Sequence, residues 1–179
     1  MTDVPELVLT LYPSPILRKV AEPVAAFDDE LKTTVEGMYK RMVASKGVGL
    51  AAPQIGLGKR ILILNPTGEE GDDLTLINPK ITARTGDKVS MEEGCLSFPG
   101  IYGMVQRPDR CTVEAQNVDG ELLTADYEGF ISRIIQHEFD HLEGILLIDR
   151  VSPTDKLKNK AGFEELVDNY KAARARTRG

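Results

Sequence analysis

Glu128-Gly129-Phe130-Ile131-Ser132-Arg133-Ile134-Ile135-Gln136-His137-Glu138-Phe139-Asp140-His141-Leu142-Glu143 is the stretch on which the fold turns. Phe130, Ile134, His137 and His141 fall at i, i+4, i+7 and i+11, a single stripe of an α-helix, and Ile131, Ile135 and Leu142 form the adjoining stripe. So wide an apolar face predicts a buried helix over about 128–143, with Gly144 as its C′ stop. The chain's only two histidines lie in this one segment. Their spacing of four puts both imidazoles on one face, a turn apart, where they can share an ion. Glu138, next to the first histidine, can sit beside such an ion without binding it and accept a proton from water. A core helix with two hydrogen-bonded histidines is the plainer alternative. It explains neither the pairing of both histidines nor the glutamate between them.

Around this helix the pattern is one of strands and hairpins. Lys59–Pro66 reads as a short buried strand, Leu74–Ile77 and Ile81–Thr85 as further strands, and Ile145–Ile148 as another. Cys111–Gln116 alternates, with Cys111, Val113 and Ala115 on one face. Asp119-Gly120 is a turn signal, and Glu121–Ala125 is the return strand. Leu31, Val35, Met38 and Met42 mark a second helix over Asp28–Ser45, capped by Asp28. Gly47-Val48-Gly49-Leu50-Ala51-Ala52-Pro53-Gln54-Ile55-Gly56 reads as a glycine-punctuated loop. Ser152-Pro153 opens a polar C-terminal helix over about 153–176, with a basic tail over 171–179. Hairpins without βαβ units predict an α+β fold.

The 179 residues suit a single catalytic domain over 1–179. Hydrophobic residues at 41% and charged residues at 28% exclude a disordered chain. No apolar run approaches the ~18 residues needed to span a bilayer. A net charge of −6 speaks against free nucleic acid or an anionic membrane as partner. Acids and a proline in Met1–Glu6 are unlike an export signal, so a cytoplasmic location is expected.

A catalytic ion usually has three protein ligands and an open position. A third histidine six residues after His141 would fall at Leu147, which cannot serve. Glu164 or Glu165 on the C-terminal helix would give a metallopeptidase, although their polar surroundings fit a solvated face. Cys111 fits a small core residue. Cys95, in Glu92-Glu93-Gly94-Cys95-Leu96-Ser97-Phe98-Pro99-Gly100, has glycine before it and proline after it, the mark of a specified backbone. Its thiolate with two neutral imidazoles leaves a fourth position for water, and Cys95 is the favoured candidate.

Three stretches, Gly47–Gln54, Glu93–Ser97 and Gln136–Leu142, stand in an order and spacing that closely resemble the peptide deformylase family. Pro15-Ile16-Leu17-Arg18 and Ile148-Asp149-Arg150 extend the likeness over nearly the whole chain. The resemblance implies antiparallel or mixed sheets packed around the central histidine helix. It also implies hydrolytic removal of the formyl group from the initiator formyl-methionine of new polypeptides. It makes Cys95, His137 and His141 the metal ligands and Glu138 the general base and acid, with water on the ion attacking the formyl carbon. Gln54 and the backbone N–H of Leu96 would hold the carbonyl oxygen, where preorganised donors are needed. Gly49 would bind the start of the substrate chain in strand fashion.

Val48, Met91, Phe130 and Ile134 are candidates for the methionine pocket, with core packing as the alternative. Glu93 and Arg107 are a candidate pair holding the Cys95 loop, or else a surface ion pair of little consequence. Tyr102 stands where many relatives carry an arginine, which implies altered contacts to the distal substrate backbone. Ser132 replaces a more usual small apolar residue. The resemblance implies one divalent ion, ferrous iron (Fe2+) in the cell, with Zn2+, Ni2+ or Co2+ able to occupy the site. The basic tail, with Lys171, Arg174, Arg176 and Arg178, is a candidate for ribosome contact through salt-sensitive phosphate pairing, or simply a cationic helix end.

Overall fold

The computed structural model describes residues 6–177. Most of Met1–Glu6, on which the export reading rests, and Arg178 of the tail lie outside them. Helix α1 (Asp29–Ala44) follows its predicted bounds: the Asp28 carboxylate accepts from Leu31 N–H at 3.0 Å, and Leu31, Val35, Met38 and Met42 are buried. Five strands come next, β1 (Gly49–Ala51), β2 (Ile61–Leu64), β3 (Leu74–Cys95), β4 (Phe98–Gln116) and β5 (Leu122–Glu128). They form one sheet in the order β1-β2-β3-β4-β5, each ladder antiparallel. Helix α2 (Gly129–Leu142) leaves β5 without a break. The chain then runs through α3 (Leu147–Arg150), α4 (Pro153–Lys158) and α5 (Lys160–Arg176).

The α+β class stands, and the histidine helix is central. Ile134, Ile135 and Leu142 of α2 pack against Leu62, Leu64, Leu76 and Val113 of the sheet. Cys111, Val113 and Ala115 face this core, as their alternation predicts, and Cys111 is a free, buried thiol. A second core joins α1 to β1 and β2 through Met38, Met42, Leu50 and Ile63. A third gathers Leu17, Phe98, Val151 and Phe163, anchoring the C-terminal helices to the β4 end. Gly144 terminates α2 with φ +69°, and a Cβ there would lie 2.4 Å from the Arg18 carbonyl oxygen, so only glycine fits.

Three sequence expectations change. Ile145–Ile148 is not a strand: Leu147–Arg150 forms one helical turn, with Asp149 accepting from Leu146 N–H at 2.8 Å. The C-terminal helix is broken at Asn159 into α4 and α5, and the Asn159 amide donates to the carbonyls of Tyr102 and Asp155 at 2.8 and 3.0 Å. The glycine-punctuated stretch holds a strand and a 3-10 turn (Ala52–Ile55). The long β3–β4 pair through residues 86–110 was not expected from the sequence. Its β3 side is exposed from Arg84 to Glu92, and the buried places on β4 include Gly103 and Arg107, so apolar residues do not mark its period of two. Among the described residues no helix is long and apolar enough to cross a membrane.

Candidate metal centre

Cys95 is the last residue of β3. It pairs with Phe98 across a two-residue turn, Leu96-Ser97, which turns the thiol toward α2. His137 and His141 stand one turn apart on α2, their ring centroids 5.3 Å apart. One donor atom from each of the three residues lies within 4.8 Å of the others, and Cys95 Sγ is 3.2 Å from His141 Nε2. Among the described residues this is the group of three potential ligands. Glu164 and Glu165 are exposed on α5, with Glu164 facing Lys160 at 3.7 Å.

A divalent ion suits these donors. A thiolate and two imidazoles match the preferences of zinc or ferrous iron. Two buried atoms here, Glu138 Oε2 and His141 Nδ1, have no hydrogen-bond partner. The Glu93 carboxylate accepts from His137 Nδ1 at 3.0 Å, which places the ring hydrogen on Nδ1 and frees Nε2 as a ligand.

Burial works against charge on His137, but its hydrogen bonds with Cys95 and Glu93 raise its affinity for a proton. Burial, with His137 beside it, holds His141 well below the ordinary imidazole range. Burial pushes the Glu138 carboxyl up to about 7, against the attraction of His137. A carboxyl poised near neutrality can both take and give a proton.

Gln54 is buried on the 3-10 turn after β1. Its side-chain oxygen accepts from Ala51 N–H at 2.8 Å, which turns the amide NH2 toward Ser97 Oγ at 3.3 Å and Cys95 Sγ at 3.5 Å. Gly49 lies against Glu138: a Cβ on it would stand 2.7 Å from Glu138 Oε1 and 2.7 Å from Ile134 Cγ2. Glycine here lets β1 reach the Glu138 carboxylate.

A cavity of about 560 Å³ opens over these groups. Val48, Gly49, Gln54, Leu96, Phe130 and Ile134 line it together with Cys95, His137 and Glu138, while His141 lies beneath. Met91 does not line it. It shares the face of Glu93 on β3 but stands one strand repeat, roughly 7 Å, further from Cys95. Tyr102 lies at the rim, 57% exposed, its ring packed over Gly94.

The Glu93–Arg107 pair is not a surface pair: both residues are buried, and Arg107 donates to Glu93 at 2.8 and 3.0 Å. Burial opposes charge on Glu93, yet hydrogen bonds from His137 and Arg107 hold its carboxyl well below the usual range. Arg107 also donates to Asp140 at 2.8 Å, and Asp140 accepts from Arg150 at 2.7 Å. Sequence reasoning missed Arg133, Asp140 and Ser97, all buried. Arg133 and Asp140 lie on a helix whose wide apolar face predicts burial, and a charge carried into a core needs a partner. That was the available signal. Ser132 is buried, its hydroxyl accepting from Gln136 at 3.0 Å.

Comparison with known proteins agrees with this geometry. Residues 7–157 match the family model described as polypeptide deformylase. The chain is 48% identical over 143 residues to the peptide deformylase of Acidobacterium capsulatum, covering 79% of this chain and 84% of the relative. It is 40% identical over 169 residues to the chloroplastic peptide deformylase 1B of rice, covering 93% of this chain but only 62% of the relative's length. A crystallised peptide deformylase from Plasmodium falciparum superposes with a TM-score of 0.90 at 42% identity, covering 92% of this chain and 98% of that one. With its metal-ligand group in place on that fold, the chain belongs to the polypeptide deformylase family.

Proposed function

We propose that residues 1–179 act as one catalytic unit, a metal-dependent hydrolase that removes the formyl group from the formyl-methionine at the start of newly made polypeptides and releases formate. The observation that carries this reading is the convergence of Cys95, His137 and His141 beside Glu138 at the floor of one cavity. Cys95, His137 and His141 would hold a divalent ion, Fe2+ in the cell or Zn2+, Ni2+ or Co2+ in its place. Such an ion supplies Lewis acidity and brings the pKa of water toward neutrality.

The chain's own groups do the rest. Glu138 takes a proton as water adds to the formyl carbon, and returns one to the methionine nitrogen as the C–N bond breaks. Negative charge grows on the formyl oxygen. The Gln54 amide, fixed by Ala51 N–H, and the backbone N–H of Leu96 are the donors that meet it. The substrate backbone lies along Gly49, whose bare Cα keeps it close to Glu138. Val48, Phe130 and Ile134 receive the methionine side chain. With Tyr102 at the rim in place of an arginine, the distal substrate backbone lacks an arginine contact there. The enzyme works where nascent chains emerge, in the cytoplasm. Lys171, Arg174 and Arg176, toward the end of α5, are the described part of a basic end suited to ribosomal phosphates.

The test is formate release from a formyl-Met peptide by metal-loaded protein. Glu138→Ala should all but abolish turnover, cutting kcat about 10²- to 10⁴-fold, and retain the metal. Absence of formate from the loaded wild-type protein would overturn the assignment.

A further inference from the structure

We propose that Arg133, one turn before His137 on α2, is a positioning residue of the metal centre: it fixes the carboxylate that orients His137 and ties that turn of α2 to both long strands. The inference deepens the deformylase reading and rests on it.

The side chain of Arg133 is 7% exposed. Its guanidinium donates to Glu93 Oε1 at 2.7 Å, to the Val105 carbonyl at 3.1 Å and to the Val89 carbonyl at 2.7 Å. Val89 and Glu93 belong to β3, and Val105 to β4. One planar fork therefore joins the strand that carries Cys95, its hairpin partner and the helix that carries both histidines.

Each Glu93 oxygen has two donors. Oε1 receives Arg107 Nε at 2.8 Å and Arg133, and Oε2 receives Arg107 Nη2 at 3.0 Å and His137 Nδ1 at 3.0 Å. With its four acceptor sites filled, this carboxylate has one orientation, and so has the imidazole bonded to it. Arg107 fills one site on each Glu93 oxygen and spends its remaining nitrogen, Nη1, on Asp140 at 2.8 Å, so the second site of Oε1 is left to Arg133. Without Arg133, Glu93 has a vacant acceptor site and α2 loses its charged tie to β3 next to His137. A lysine keeps the charge but not the three-way fork.

A merely structural ion pair would affect folding and leave the affinity for metal alone. The experiment compares Arg133→Met, Arg133→Lys and Ile135→Ala, the last a buried apolar truncation on the same helix. Each is scored for Co2+ affinity by chelator competition, for the visible bands of the Co2+-loaded protein, for melting temperature, and for kcat and KM on a formyl-Met peptide. Arg133→Met should bind Co2+ about 10- to 100-fold more weakly, the usual effect of losing a group that orients a ligand. Its bands should shift, and kcat should fall with KM nearly unchanged. Arg133→Lys should fall between it and wild type. Ile135→Ala should melt earlier with Co2+ affinity unchanged. Wild-type affinity and bands in Arg133→Met, or an equal loss in Ile135→Ala, would overturn the proposal. If Arg133→Met does not fold, Arg133→Lys decides: weaker Co2+ binding supports the role, and wild-type binding refutes it. Wild-type protein that binds Co2+ but releases no formate would sink the deformylase reading alone, because the Co2+ measurements still judge Arg133.

Discussion

Two regions packed on the sheet, the core under α1 and the cluster behind the cavity, are built on different physics. Under α1, Met38, Met42, Leu50, Ile61 and Ile63 form a core of apolar side chains. Behind the cavity, β3, β4 and α2 bury Glu93, Arg107, Arg133 and Asp140, all charged. The first core gains stability from area removed from water. The second gains little net stability, because burying charges costs about as much as their attraction returns. What it provides is direction: each ion has a fixed partner, and through Glu93 the set orients His137. A fold can tolerate looseness under α1 more readily than beside a metal ligand.

The sharpest way to separate the two is Glu138→Ala. The carboxylate reaches a buried position without a partner for Oε2. Its loss should therefore cut kcat by about 10²- to 10⁴-fold without lowering the melting temperature. Glu93→Ala should damage both properties. It strands Arg107 and Arg133 in the interior, at a cost of about 3–5 kcal/mol by denaturant titration, and frees His137 to rotate. Met38→Ala, in the apolar core, should cost about 2–5 kcal/mol and leave kcat/KM of the folded fraction unchanged.

The smallest effect belongs to a half-exposed pair, Arg18 and Asp149, which are 45% and 38% exposed. Burial raises the Asp149 carboxyl, but the hydrogen bonds from Arg18 and Leu146 N–H lower it further than that. Its folded-state pKa is thus below that of the unfolded chain. The stabilisation is present above the ordinary carboxylate range, near pH ~4, and is lost as pH falls through the depressed value. Arg18→Met should cost under about 1 kcal/mol at pH 7, and the difference from wild type should shrink in thermal melts as the pH is lowered below ~4.

Much of the site was legible because rare residues were concentrated. Two histidines and one glutamate on a single predicted helix placed three of its groups before any coordinates. Cys95 stood out from Cys111 by the glycine before it and the proline after it, and Cys111 by its place in an alternating strand. The buried charges were harder to read. Arg133 and Asp140 look in sequence like polar interruptions of an amphipathic helix, and nothing local says that Arg107 and Glu93, 14 residues away on another strand, lie opposite them. The β3–β4 hairpin escaped for a related reason. Its β3 residues are exposed from Arg84 to Glu92, and the inward places on β4 include Gly103 and Arg107, so few apolar residues mark the alternation that the strands possess.

The sequence by itself determined helices α1 and α2, the Asp28 cap and the placing of two imidazoles and a carboxylate on one helix, because helical periodicity and capping act within a few residues. The tertiary structure decided that Cys95 meets His141, that Gln54 turns its NH2 toward the thiol, and that Arg133 grips two strands and a carboxylate at once. Those contacts join residues dozens of positions apart, and only burial and strand register bring them within hydrogen-bonding distance.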